Sequence, residues 1–144
     1  RAWDAEAWGA HGIGPFVQDN VSVSATGVLR GLHFQRIAPQ GKLVSVMAGT
    51  IFDVAVDIRP GSPTHGEWVG VTLTGSEPRQ LWVPPGFAHG FCVTDGPATV
   101  HYRCTTAYLP RDQGGLAWDD PTLGIEWPIQ APILSLKDRG QPSF

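Results

Sequence analysis

Two side chains that could take part in proton transfer lie in one short apolar segment. Residues 27–35 read GVLRGLHFQ and carry Arg30 and His33. Strand side chains alternate between two faces, so residues three apart face opposite ways unless a bulge intervenes. Gly31 lies between the two and predicts such a bulge. An imidazole beside a cation can act as a general base, although a strand histidine taken alone is more often a core or surface residue.

Two further segments place an ionisable side chain directly after a turn. Lys42 follows Pro39-Gln40-Gly41 and opens a strand, where a solvated lysine is the alternative interpretation. Residues 84–91, PPGFAHGF, form a tight turn that aims the imidazole of His89 inward. These positions therefore join Arg30 and His33 as candidates.

The remaining histidines are weaker candidates. His101 and Tyr102 are consecutive in a strand, so His101 faces outward if Tyr102 faces the interior. His65 lies in a turn and is expected to be exposed, and His11 lies beside a glycine. We assign no role to these three histidines.

The elements that must position these residues are short strands. The chain contains 18 glycines and 13 prolines, and they separate short runs rich in Val, Ile, Phe and Trp. That rhythm predicts an all-β sandwich or barrel. The predicted strands are Val21–Val23, Gly27–Phe34, Lys42–Val46, Ile51–Ile58, Trp68–Leu73, Gln80–Val83, Gly90–Val93 and Thr99–Thr106.

Two turns between these strands predict hairpins, one at Ala48-Gly49-Thr50 and one at Asp95-Gly96-Pro97. Helical pattern is limited to residues 2–10 and a turn near residues 132–136. We therefore expect the fold to consist mainly of β-strands.

Composition limits the possible function. The chain has 144 residues, 16% of them charged, and a net charge of −3. This predicts one folded domain, and the scattered basic residues predict no nucleic-acid partner. No apolar stretch reaches the roughly 20 residues of a membrane helix, and no secretory leader is recognised. We therefore expect a cytoplasmic protein without a membrane partner, in which Cys92 and Cys104 are free buried thiols and a disulfide is the alternative.

The segment around His89 resembles the second conserved motif of the cupin barrels. The first cupin motif has a His-x-His pair and a later Glu that help to bind a metal, whereas this chain has His33-Phe34-Gln35 and no Glu in the following residues 36–39. Too few ligands remain for a metal site. The resemblance implies a cupin-type jelly-roll β-barrel with short peripheral helices, and we expect it to work without a metal or cofactor.

Nine segments of the chain carry a resemblance to one family: 16–20 (FVQDN), 27–35 (GVLRGLHFQ), 40–44 (QGKLV), 52–59 (FDVAVDIR), 62–64 (SPT), 79–91 (RQLWVPPGFAHGF), 102–108 (YRCTTAY), 118–121 (WDDP) and 135–138 (SLKD). Over almost its whole length the chain resembles the dTDP-4-dehydrorhamnose 3,5-epimerases. This implies a homodimeric isomerase of rhamnose biosynthesis. It would convert dTDP-4-dehydro-6-deoxy-D-glucose to dTDP-4-dehydro-L-rhamnose by inverting C3 and C5.

The resemblance implies catalytic roles for five residues. His33 would be the base that removes the C3 and C5 protons, and Asp138 would orient it. Tyr102 would be the opposing acid. Arg30 and Lys42 would lie near the ketone oxygen.

The resemblance also implies substrate-binding roles. Gln18, Asn20, His89 and Lys137 match positions that contact the nucleotide diphosphate or the sugar. Tyr108 matches a position that stacks on thymine, with an aromatic at the barrel rim as the alternative interpretation.

The chain departs from the family pattern at both ends and at one internal pair. The family usually begins with strands that carry an Arg-Gly-x-Phe-x-Glu motif, so we expect residues 1–144 to form a single domain without those strands. The chain also stops soon after Lys137-Asp138, slightly short of many relatives. An acidic residue and an arginine are common where this chain has Gln113 and Gly114.

Three other functions stay open. A related epimerase would invert C3 or C5 only, with the same catalytic groups. A non-catalytic cupin would bind the sugar nucleotide without exchanging protons. A metal-dependent cupin oxygenase is disfavoured by Gln35 and the missing Glu.

Overall fold

In the computed structural model, which describes residues 5–144, the strands form one sheet of antiparallel pairs with two short helices beside it. This confirms the all-β prediction. No helix within residues 5–144 combines the length and the apolar character that crossing a membrane requires. The elements are α1 (Ala5–Gly9), β1 (Gln18–Ser24), β2 (Leu29–Gln35), β3 (Lys42–Asp57), β4 (Trp68–Thr74), β5 (Gln80–Val83), β6 (Phe87–Cys104), β7 (Gln113–Gly115) and α2 (Leu136–Arg139).

The two long strands β3 and β6 form the centre of the fold. They pair from Lys42 opposite Cys104 to Asp57 opposite Phe87, with register shifts where β3 passes residues 46–51. One half of this ribbon is flanked by β1 and β5, and the other half by β2 and β4, with β7 outside β2. A single pair of strands therefore serves both halves of the barrel.

The two predicted hairpins are wrong. Residues 48–50 and 95–97 lie inside β3 and β6, because each flanking segment pairs with the other long strand and not with its own neighbour. Gly49 has φ +75°, and a Cβ on it would come within 2.7 Å of Ala98 Cα. The glycine therefore marks a bulge where two backbones approach closely, and not the reversal of the chain.

The core lies between the two halves of the sheet. One cluster joins Val44 and Val100 from the β1–β5 half to Ile51 and Val93 from the other half. Burying such side chains contributes about 1.5–3 kcal/mol each before entropy is subtracted. The core therefore fixes the two halves of β3 and β6 relative to each other. It also fixes the positions of the side chains that these strands carry.

The helices and cysteines agree with the sequence predictions in part. Residues 2–4 of the predicted N-terminal helix lie outside the described residues, and α1 covers the rest of it to Gly9. The predicted turn near residues 132–136 leads into α2, which Ser135 caps by accepting a hydrogen bond from the Asp138 N–H at 3.1 Å. Cys92 and Cys104 are both free and buried, as predicted.

Candidate active site

The predicted site residues line one cavity with two compartments. The outer compartment, of about 380 Å³, is lined by every predicted residue except His89. His89 lines an inner compartment of about 140 Å³ whose other walls include Ser22 and Phe91. Both compartments share four side chains: Arg30, His33, Lys42 and Tyr102.

His33 on β2 and Asp138 on α2 form a hydrogen-bonded pair. His33 Nε2 lies 2.6 Å from Asp138 Oδ1, and the carboxylate is only 5% exposed against 25% for the imidazole. Burial acts to raise the pKa of Asp138, but hydrogen bonds from His33, Ser135 and the Gly31 backbone outweigh it and lower the pKa. An ionised Asp138 holds the proton on Nε2, which leaves the Nδ1 lone pair of His33 available to accept another.

A bulge in β2 brings Arg30 and His33 to the same cavity. The pairing of β2 with β6 shifts register between these two residues, which confirms the predicted bulge. Gly31 has φ +127°, and a Cβ there would come within 2.6 Å of Gly90 Cα. Arg30 Nε donates to Ser24 Oγ at 3.0 Å, which directs the guanidinium.

Lys42 opens β3 as predicted, but it is not a solvated lysine. Its side chain is partly buried and lines both compartments. Burial lowers the pKa of Lys42, while the charges of Cys104 and Asp53 oppose that shift. A desolvated ammonium gains more from an anion beside it than a solvated one does.

Tyr102 on β6 faces the cavity, and its neighbour His101 faces away. Burial raises the pKa of the Tyr102 phenol, with Arg30 opposing, so the phenol carries its proton at neutral pH. His101 Nε2 lies 3.1 Å from Asp19 Oδ1 on the other face of the sheet. The prediction that these two residues point to opposite faces is confirmed.

His89, which lines the inner compartment, forms a second histidine–aspartate pair with Asp53. His89 Nε2 lies 2.7 Å from Asp53 Oδ1, and both side chains are buried. The other carboxylate oxygen of Asp53 has no hydrogen-bond partner among the described residues. Sequence reasoning missed Asp53, although an acid within the apolar run FDVAVD is itself a signal, because a buried carboxylate requires a partner.

The outer compartment is organised by amide side chains. Gln18 Oε1 accepts from the Tyr108 N–H at 2.7 Å, and Gln18 Nε2 donates to Asn20 Oδ1 at 2.9 Å. Gln113 Oε1 accepts from Tyr108 Oη at 2.8 Å and from Lys137 Nζ. These hydrogen bonds place Tyr108 and Lys137 at the exposed end of the cavity.

Several residues that line the cavity were not predicted. Gln18, Asn20 and Ser22 alternate along β1 and share its inner face, so the period-two pattern could have found Ser22. Phe91 and Cys104 carry the same signal, since each lies two residues after a predicted site residue on β6, whereas Gln40, Gln113 and Ser135 lie outside such a pattern. The unpredicted lining residues are Ser22, Gln40, Phe91, Cys104, Gln113 and Ser135.

The cavity carries more positive than negative charge. Its basic residues are Arg30, Lys42 and Lys137, and its acidic residue is Asp138, which is engaged with His33. In a chain of net charge −3 this concentration suits an anionic ligand. No group of three His, Cys, Asp or Glu side chains able to hold a metal ion occurs among residues 5–144.

A family model described as dTDP-4-dehydrorhamnose 3,5-epimerase matches residues 1–144. The chain belongs to this family. The epimerase of Neisseria gonorrhoeae is 57% identical over 124 residues, which are 85% of this chain and 38% of that protein. The epimerase of Methanothermobacter thermautotrophicus is 54% identical over 127 residues, 86% of this chain and 69% of that protein. This chain thus spans well under half of the first family member and about two thirds of the second.

Solved structures that are similar to this chain share its fold. The 3,5-epimerase of Legionella pneumophila, in complex with dTDP-4-keto-L-rhamnose, is 50% identical with a TM-score of 0.95, covering 99% of this chain and 78% of that one. ChmJ, a 3'-monoepimerase of Streptomyces bikiniensis in complex with dTDP-quinovose, is 34% identical with a TM-score of 0.91, covering 99% of this chain and 74% of that one. The prediction of a cupin-type barrel is confirmed by these likenesses.

Proposed function

We propose that this chain carries the catalytic barrel of an isomerase that epimerises C3 and C5 of dTDP-4-dehydro-6-deoxy-D-glucose, giving dTDP-4-dehydro-L-rhamnose. The observation that carries the proposal is the meeting of a histidine–aspartate pair, a protonated phenol and two cations in one cavity. The Legionella pneumophila structure holds dTDP-4-keto-L-rhamnose, the product of this reaction, and an anionic sugar nucleotide of that kind suits a cavity of this charge.

The reaction begins with His33. Its Nδ1 removes a proton from a carbon next to the ketone, and Asp138 stabilises the imidazolium that forms. The electron pair moves to the ketone oxygen, where Arg30 and Lys42 meet the developing negative charge. Fixed donors of this kind contribute about 3–4 kcal/mol each in other enzymes.

Inversion requires that a proton return from the opposite face of the sugar. Tyr102 is the donor we assign, since burial keeps its phenol protonated. The imidazolium and the phenolate then exchange protons with solvent to restore the starting state. The remaining predicted residues, Gln18, Asn20, His89, Tyr108 and Lys137, bind the nucleotide diphosphate, the thymine or the sugar.

Solvent exchange tests the proposal directly. The substrate is incubated with the protein in deuterium oxide, and we expect deuterium at both C3 and C5. His33→Ala should abolish the exchange while still binding dTDP, which shows that the cavity remains folded. An exchange rate in His33→Ala equal to that of the wild type would contradict the proposal.

A second candidate is a mono-epimerase with the same catalytic groups. The similarity to ChmJ supports this candidate, because a 3'-monoepimerase that is 34% identical to this chain has the same fold. Counting deuterium at each carbon separates the two, since a mono-epimerase labels one position. Binding of dTDP without any exchange would instead indicate a non-catalytic sugar-nucleotide-binding protein.

We also infer that the chain acts as one domain and assembles as a homodimer. Val21 and Val23 on β1 and Met47 on β3 are each more than 60% exposed, which makes an apolar strip on the outer face of the sheet. Such a strip is typical of a protein interface. Light scattering should give twice the mass of the chain, and a monomeric mass would contradict the assembly.

We further propose that the protein works in the cytoplasm. Its two cysteines are free and buried, which fits a reducing compartment. Cell fractionation with an antibody against the protein is the test, and recovery outside the cytoplasmic fraction would contradict the proposal.

A further inference from the structure

Gln35, at the end of β2, holds the backbone on both sides of Tyr108. Its Nε2 group donates to Ala107 O at 3.3 Å, and its Oε1 atom accepts from the Leu109 N–H at 2.7 Å. The same Nε2 group also donates to Ala38 O at 2.7 Å. A side-chain amide has two N–H donors and one carbonyl acceptor, so these three hydrogen bonds use both donors and the acceptor. Gln35 therefore ties the segment around Tyr108 to the loop that follows β2.

Gln35 itself lies outside the cavity. It is 5% exposed and is not among the described residues that line either compartment. Tyr108 lines the outer compartment and is 44% exposed, so part of its ring is open to a ligand. An exposed aromatic face is a surface on which a planar base can stack. Any effect of Gln35 on a ligand must therefore pass through the residues that Gln35 holds.

Other hydrogen bonds hold the same two segments. Asp112 accepts from the N–H groups of residues 37 and 38 at 2.8 and 2.9 Å. Gln18 Oε1 accepts from the Tyr108 N–H at 2.7 Å. Loss of the Gln35 amide should therefore leave the loops in place, while it releases the peptide groups on either side of Tyr108.

We propose that Gln35 is a positioning residue that orders Tyr108 for a planar base and so sets the affinity of the outer compartment for a nucleotide. The inference rests on the proposed function for the identity of that ligand as dTDP. Without the Gln35 amide, residues 107–109 would have to be ordered when the ligand binds, and the entropy lost in that step would weaken binding. Proton transfer at His33 would proceed unchanged once the substrate is bound.

A double-mutant cycle with Gln35→Met and Tyr108→Ala tests the inference, with dTDP affinity measured by calorimetry. Methionine has nearly the length of glutamine but makes none of the three hydrogen bonds. We expect Tyr108→Ala to weaken dTDP binding about 5- to 150-fold, and Gln35→Met to weaken it roughly threefold to tenfold. The double variant should bind within twofold of Tyr108→Ala alone, because the ring through which Gln35 acts is already missing.

Gln80→Met is the matched control. Gln80 Nε2 donates to Ser45 Oγ at 2.6 Å, and neither residue is among the described residues that line the two compartments. The control therefore removes a glutamine hydrogen bond away from the cavity, and it should leave dTDP affinity unchanged. Steady-state kinetics supplies a second measurement, in which Gln35→Met should raise KM severalfold and leave kcat within twofold of the wild type.

The outcomes separate this inference from the proposed function. Wild-type protein that binds dTDP but exchanges no deuterium would end the epimerase proposal, while the binding cycle would still decide the role of Gln35. A dTDP affinity of Gln35→Met within twofold of the wild type would overturn the inference. So would losses that multiply in the double variant, or a fall in kcat at unchanged KM, since either would indicate a general structural role.

Two further results are also decisive. Absence of dTDP binding in the wild type would overturn the inference, because Tyr108 would then have no base to meet. If urea unfolding shows that Gln35→Met is not folded, Gln35→Asn takes its place in the cycle. Its amide is one methylene too short to keep all three hydrogen bonds, and the same expectations and refuting results apply to it.

Discussion

Replacing Asp138 by asparagine tests the central contact of the site. The substitution keeps the size of the side chain but removes the charge that faces His33 Nε2 at 2.6 Å. An asparagine that turns its NH₂ group to Nε2 requires the other imidazole tautomer, in which Nδ1 carries the proton and cannot accept one. The variant should therefore fold and bind, but its imidazole should be a poorer base.

The strength of the hydrogen bond between His33 and Asp138 sets the expected loss of kcat. A hydrogen bond to a charged group is worth about 1.5–3 kcal/mol, and the short separation and burial of Asp138 favour the upper end of that range. If this energy is realised on forming the imidazolium, kcat falls about 10- to 150-fold. The change of tautomer adds to the loss.

Steady-state kinetics and dTDP titration together measure this effect. We expect the fall in kcat with a KM and a dTDP affinity within about threefold of the wild type, because Asp138 lies behind the imidazole. Deuterium incorporation at both carbons should slow by the same factor. A variant that keeps more than a third of the wild-type kcat would refute the reasoning, and so would an equal loss of dTDP affinity, which would indicate a structural role.

Three further predictions concern the proton donor Tyr102, the bulge at Gly31 and the stability of the fold at low pH. Tyr102→Phe should still remove the substrate proton but should lower net epimerisation at least 100-fold. The test compares the rate at which deuterium from the solvent enters the substrate with the rate at which the epimerised product forms. Gly31→Ala should destabilise the protein by about 3 kcal/mol, since its Cβ would come within 2.6 Å of Gly90 Cα; urea unfolding measures this, and an unchanged midpoint would contradict it. Hydrogen bonds from the backbone of Phe144, with those of residues 122 and 123, lower the pKa of Asp120 from its ordinary 3.8. The stabilisation that ionised Asp120 provides is therefore complete above the ordinary pKa and is lost as the pH falls through the lower pKa of the folded state. Asp120→Asn should be less stable than the wild type at neutral pH, and its melting temperature should depend less on pH in the acid range.

The sequence predicted the positions of the strands better than their connections. Runs such as residues 80–83 and 68–73 were placed almost to the residue, because β-branched and aromatic composition is a local property. The hairpins failed because Gly49 and Gly96 look the same in a sequence whether they reverse the chain or let two strands pass closely. Only the pairing of β3 with β6 decides between these possibilities, and it joins distant segments.

The residues of the site show the same difference between local signals and contacts that join distant segments. The bulge at Gly31 and the outward direction of His101 follow from strand periodicity and were predicted correctly. Asp53 was missed, because its partner His89 lies 36 residues away and no local pattern connects them. Gln113 was noted only as a departure from the family pattern, and its contact with Lys137, 24 residues away, has no local signal either. The pairing of His33 with Asp138 was expected only through the family resemblance.

The same pair bears on how the protein becomes active. Asp138 follows His33 by 105 residues, and it reaches the imidazole only when α2 is in place beside β2. A chain that has formed its barrel but not yet docked this helix therefore holds an imidazole without its carboxylate. In a refolding experiment, enzymatic activity should therefore recover no earlier than the docking of α2 against β2. Catalysis by the pair of His33 and Asp138 thus requires that two segments 105 residues apart have both reached their places.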